Sequence, residues 1–183
     1  MRVWKVAAGM TALATALAAA PSYAGDDNKA ALVTEAQATL DRCKGLSDAC
    51  ANSTSAAAGV LVFPEVTSAS LGIGGAGATG VMWVNGQVDG TYKLGEMSIG
   101  PQFGVKTSSQ VYALNAEALA KLRDEGSWKI GTEAEVTVVG AGATEDNAAG
   151  QGGTAAFVFD EKGFAAGASV EGVTISRAGD DKF

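Results

Sequence analysis

The chain has 183 residues, of which 47% are hydrophobic, 13 basic and 20 acidic, for a net charge of −7. That length supports one domain able to bury a core, and the acidic balance repels nucleic acid and anionic surfaces at long range. With no His anywhere, the commonest acid–base catalyst and metal ligand is missing.

The first 24 residues read as a secretory signal peptide. Arg2 and Lys5 form a positive start, Val6 to Ala20 an apolar stretch, and Ser22-Tyr23-Ala24 a small-x-small cleavage site. A retained anchor is the alternative, but the apolar run is shorter than the roughly 20 residues a span needs. We therefore expect export to the periplasm or cell envelope. Taking Arg2 and Lys5 from the 13 basic residues leaves a mature charge of −9 against the same 20 acids.

Residues 25–55 are expected to hold an amphipathic helix and a linker. Ala30, Val33, Ala36, Leu40 and Cys43, with Leu32 alongside, recur at helical spacing between Asp27 and Cys43. Asp26, Asp27 and Asn28 suit its start, and Arg42 and Lys44 its negative end. The stripe fits packing on the helix's own domain, or contact with a membrane surface. In RCKGLSDAC, Cys43 and Cys50 are most simply a disulfide in an oxidising compartment. A metal pair would lack further ligands, so neither a metal nor a cofactor is expected. CANSTSAAA reads as a polar linker.

From residue 56 to 183 the texture changes to short apolar runs separated by Gly. GVLVF, ending at Pro64, then residues 80–86, 91–100, 100–114, 132–140, 154–163 and 164–177 read as strands. Val136 and Val138 share one face, as do Phe157 and Phe159, and DEKG is a hairpin turn, so antiparallel pairing is expected. One helix interrupts the strands: NAEALAKLRDEG, with Asn115 as N-cap, Leu119 and Leu122 inward, Lys121 and Arg123 on a solvated face, and Gly126 as the stop. The loop AGATEDNAAGQGG is long for a hairpin.

Gly72, Gly74 and Gly77 match the spacing of a dinucleotide fingerprint, which must open a helix. Here the glycines run into VMWV, another strand, and Gly80 is followed by Val81 and Met82 where a phosphate loop needs Lys and Ser or Thr. The glycines are better explained by tight turns and close strand approach.

FPEV, GGAGATGVMWV, LGEMSIGPQFGVKTSSQVYALN, the run from Ala118 and Leu119 through Leu122 to Trp128, and KGFAAGASVEGVTISR together resemble the SYLF-domain family of lipid-binding proteins, over residues 56 to 183. The resemblance implies a phospholipid-binding role and a mainly antiparallel β domain with flanking helices. The expected fold class is α+β: a barrel-like antiparallel sheet with an N-terminal amphipathic helix and one inserted helix. It also implies that the Lys29 to Lys44 helix takes part in binding. Lipid contact needs cations for phosphate and an apolar face for the headgroup boundary. Lys29, Arg42 and Lys44 would supply the first, with Lys106 and Lys121 further off; Leu32, Val33 and Leu40 the second, helped by Trp83 or Phe103.

The expected function is thus a non-enzymatic, exported protein that binds anionic phospholipid at the cell envelope. Three alternatives fit the sequence less well. A divalent cation could bridge Glu133, Glu135, Glu145 or Asp146 to phosphate, but no ligand spacing supports it. A small outer-membrane barrel would place Asp181 and Arg177 on the lipid-facing side of a terminal strand ending at Phe183, which is costly. For an enzyme the sequence offers no His, no nucleophile elbow and no zinc-binding helix motif, and the Glu133 and Glu135 pair at strand spacing reads as a solvated face rather than a glycosidase dyad.

Overall fold

A computed structural model describes residues 26–71, 74–98, 103–130, 136–139, 153–165, 170 and 172–179. The signal-peptide segment, Gly72, the acidic candidates Glu133, Glu135, Glu145 and Asp146, nearly all of AGATEDNAAGQGG, and the last four residues lie outside them.

In chain order the elements are α1 (Asp26–Leu46), α2 (Asp48–Ala56), β1 (Gly59–Leu71), β2 (Gly74–Val84), β3 (Gln87–Ser98), β4 (Phe103–Leu114), α3 (Ala116–Glu125), β5 (Ser127–Lys129), β6 (Val136–Val139), β7 (Thr154–Asp160), β8 (Gly163–Phe164) and β9 (Val173–Arg177). The strands form one curled sheet in the order β5-β9-β3-β2-β1-β4-β7-β6, with β8 paired to β7. The fold is α+β and mostly antiparallel, as expected from the sequence. The exception is β6, which lies parallel to β7. A parallel neighbour needs a crossover of about a dozen residues or more, and the stretch between Val139 and Thr154 is that long.

The central strands are apolar on both faces. Leu61, Phe63, Met82, Tyr92, Tyr112, Leu114 and Ile175 point to one side, where α3 and Trp128 close a core. Val62, Val81, Val111, Ala113, Phe157 and Phe159 point to the other, where Ala36, Leu40 and Cys43 of α1 and Ala49 and Cys50 of α2 cover them. This is period-two alternation buried twice. A lipid-exposed barrel would present the second face to hydrocarbon; here two helices occupy it.

Pro64 does not end the first strand. β1 continues through it with register shifts against both neighbours, between Phe63 and Val66 on the β4 side and between Val62 and Thr67 on the β2 side. Pro lacks an N–H for the ladder and is accommodated at a bulge. The irregularity also switches parity: Phe63 and Val66, three apart, both face the α3 core, which leaves Glu65 exposed. Ser109 Oγ donates to the Pro64 carbonyl at 2.7 Å, satisfying the backbone there.

The glycine cluster runs into β2, as read from the sequence, and opens no helix. Gly80 shows its purpose: a Cβ there would sit 2.5 Å from Phe63 Cδ1. The β2–β3 turn is Asn85-Gly86, both with positive φ (53° and 76°), the geometry that two-residue hairpins prefer.

CANSTSAAA is not the polar linker expected from the sequence but belongs mostly to α2. Ser47 caps that helix by accepting from the Ala49 N–H at 3.1 Å, and Thr54 and Ser55 donate back to the Cys50 and Ala51 carbonyls, both at 2.7 Å. Short hydroxyl side chains read as loop formers, but their bonds here are local and compatible with helix. The Cys43–Cys50 disulfide is formed, with Cα atoms 6.0 Å apart, and joins α1 to α2. For α3 the expected cap, stop and inward face are present: Asn115 Oδ1 accepts from the Ala118 N–H at 2.8 Å, Gly126 ends the helix at φ 70°, and Leu119 and Leu122 are buried.

Candidate functional site

Helix α1 carries Lys29, Leu32, Val33, Leu40, Arg42 and Lys44, the main residues nominated for lipid contact, and docking divides them among three aspects. Ala36, Leu40 and Cys43, at helical spacing, face the sheet and are buried. Leu32 and Val33 are half-buried against the same core. The stripe is therefore spent on the protein's own sheet. A freestanding insertion face made of Leu32, Val33 and Leu40 is not what the folded chain presents, because exposing it would uncover Val62, Phe157 and Phe159.

On one flank of α1, Glu35 and Arg42 border a cleft of about 420 Å³ with Pro64, Glu65, Ser109, Asp160 and Lys162 among its lining. Arg42 is committed there. Its guanidinium donates to the Asp160 carbonyl and lies 5.5 Å from the centroid of the Phe159 ring, a cation–π contact. Carboxylates of Glu35, Glu65, Asp160 and Glu161 surround it, so the cleft does not favour an anion.

The other flank differs in sign. Gln37, Leu40 and Lys44 form one wall of a second groove, also about 420 Å³. Thr54, Ser55, Ala57 and Ala58 form another, and Val60, Trp83 and the Asn85-Gly86 turn complete it. Leu40, Val60 and half-buried Trp83 provide apolar surface. Lys44 is the only charged residue in that lining, and among the described residues it forms no ion pair. Lys29, at the far end of the helix, is half-buried. The structure thus brings Leu40, Lys44 and Trp83 together. It sets Arg42 apart and leaves the side chains of Phe103 and Lys106 outside the description.

A separate charged cluster escaped the sequence reading. Asp89 at the start of β3 accepts from Arg123 of α3 and from the Tyr92 hydroxyl at 3.1 Å. Arg177 of β9 reaches its carboxylate at 3.9 Å and its carbonyl at 3.1 Å. Burial raises the Asp89 pKa, but the hydrogen bond and charge of Arg123, with Tyr92 and Arg177, outweigh that and leave it lowered. Burial, then the Asp89 charge, pushes the Tyr92 phenol up to about 12. Arg123 was read as one of a solvated face; its partner is 34 residues away, beyond any helical spacing. The cluster ties α3, β3 and β9 together, and the only sequence signal was an Asp three residues past the Asn85-Gly86 turn.

Among the described residues no group of His, Cys, Asp or Glu is placed to hold a metal ion. None of the described helices is long and apolar enough to cross a membrane.

Residues 95–182 match the family model Ysc84, described as Las17-binding protein actin regulator. That is the SYLF family the sequence resembles, a family of binding domains. No curated protein matches the chain.

Proposed function

We propose that this chain, which carries a Ysc84 (SYLF) domain over residues 95–182, is an exported, non-enzymatic protein that binds phospholipid at the surface of the cell envelope. The observation that carries the reading is the groove beside α1, whose lining includes Lys44 together with Leu40, Val60 and Trp83. A phospholipid needs that pairing of a cation with apolar surface at the headgroup boundary. The family's binding character supports the same reading, since it is described by Las17 binding and actin regulation rather than by catalysis.

A docked α1 changes how contact is made. The helix meets the membrane with its flank and C-terminal end, where Leu46 is the one large apolar side chain exposed among the described residues, while its apolar stripe stays on the sheet. Each near-surface Lys or Arg contributes about 1 kcal/mol, so the attachment is weak and salt-sensitive. Flotation with vesicles containing anionic phospholipid tests it. Binding by the full chain is expected to fall at least about tenfold when Arg42→Glu and Lys44→Glu are combined, two reversed charges; circular dichroism checks that the pair still folds. Flotation unchanged by the double variant removes α1 from the reading.

A further inference from the structure

We infer that the groove beside Lys44 is a headgroup pocket selective for phospholipids whose headgroup bears one negative charge and free hydroxyls, the phosphatidylglycerol class, over headgroups that carry an ammonium. This rests on the phospholipid-binding reading and adds which part of the lipid is recognised, and by which groups. None of the lining residues falls within 95–182, so the pocket is a property of this chain's own N-terminal half.

Charge makes the first discrimination. The chain is strongly acidic, yet the groove contains one Lys and no carboxylate. A phosphodiester gains the Lys44 ammonium. The ammonium of an ethanolamine, choline or serine headgroup finds no counter-charge in the lining and loses hydration on entry. The cleft across the helix has the opposite character, since its carboxylates would receive a cation and repel phosphate.

Hydrogen bonding makes the second. Thr54 and Ser55 give their hydroxyl protons to backbone carbonyls, so their oxygens are left as acceptors. Gln37 donates its amide to Asp41 at 3.0 Å, which leaves its carbonyl oxygen to accept. Asn85, exposed on the positive-φ turn, offers an amide with both capacities. Acceptors of this kind suit hydroxyl donors. Trp83, Leu40 and Val60 then cover the glycerol and the first acyl methylenes, and the volume of about 420 Å³ lies within the range of small-molecule pockets.

Flotation of the full chain with vesicles of phosphatidylcholine carrying equal fractions of either phosphatidylglycerol or phosphatidylserine separates headgroup chemistry from surface charge. Phosphatidylglycerol is expected to bind at least about threefold tighter, the worth of a net hydrogen bond. Lys44→Gln should lower that binding about fivefold, while Lys162→Gln, in the opposite cleft, should change it less than about twofold. Phosphatidylglycerol brominated near the headgroup should quench a fluorescence component that Trp83→Phe removes. Soluble glycerol phosphate should neither quench nor compete; competition would overturn a lipid as the source of the phosphate. Equal binding of the two anionic lipids, or flotation indifferent to Lys44→Gln and without Trp83 quenching, overturns the pocket alone. No flotation with any vesicle overturns the phospholipid reading with it.

Discussion

Gly80 and Gly77 lie three residues apart in one strand, and their surroundings assign them opposite tolerances. At Gly80 a methyl group would be driven into the Phe63 ring and the Val62 backbone, so Gly80→Ala is expected to cost about 1–3 kcal/mol in urea unfolding. At Gly77 nothing lies within 4 Å of the added atom. Gly77→Ala should be neutral or stabilise by up to about 1 kcal/mol, because the unfolded chain loses freedom. Asp89 sets an acid limit. Its carboxyl is held below the ordinary 3.8, so the stability it contributes is complete above that pH and is lost as pH falls through the lowered folded value. Asp89→Asn should therefore be less stable than the parent at neutral pH, with the difference shrinking below about pH 4 in pH-dependent urea unfolding; a constant difference would remove the carboxylate from the network.

At the scale of elements, α1 is a structural cover before it is a membrane contact. Leu40 is 6% exposed, and Leu40→Ala is expected to cost about 2–5 kcal/mol with no lipid present. A helix that served lipid alone would tolerate the change in buffer, so thermal melting without vesicles distinguishes the two roles. The helical periodicity that announces α1 does not say what its stripe packs against, since a sheet and a bilayer select the same spacing. The capped helix α3 was legible in detail because Asn115 and Gly126 act within one turn of it. Helix α2 was not, although Ser47 and Asp48 open it, because a run of Asn, Ser, Thr and Ala carries little hydrophobic signal and Ala49, Cys50 and Thr54 are buried only by their neighbours.

For the molecule as a whole, the disulfide holds the two helices that wall the groove. Cys43 and Cys50 are fully buried within the core that α1 and α2 share with the sheet. Replacing both by Ser is expected to lower stability by about 2–4 kcal/mol and to lower the thermal midpoint. Weaker phosphatidylglycerol binding should follow, because α2 supplies Thr54 and Ser55 to the groove. Calorimetry of the double variant, followed by flotation at a temperature where it remains folded, separates the two effects.

What the sequence determined by itself was whatever depends on neighbours in the chain: the alternation of the strands, the cap and stop of α3, the Asp160–Gly163 turn, and the proximity that lets Cys43 meet Cys50. The α+β class followed from these, and the order of motifs pointed to the family. Only the tertiary structure decided the parity switch at Pro64, the parallel seat of β6, the union of Asp89 with Arg123 and Arg177, and the opposite electrostatic character of the two flanks of α1. The physical reason is sequence separation. Arg177 meets the Asp89 carbonyl across 88 residues, and Lys44 shares a groove with Trp83 only because a sheet brings β2 beneath the helix; no local propensity encodes either meeting.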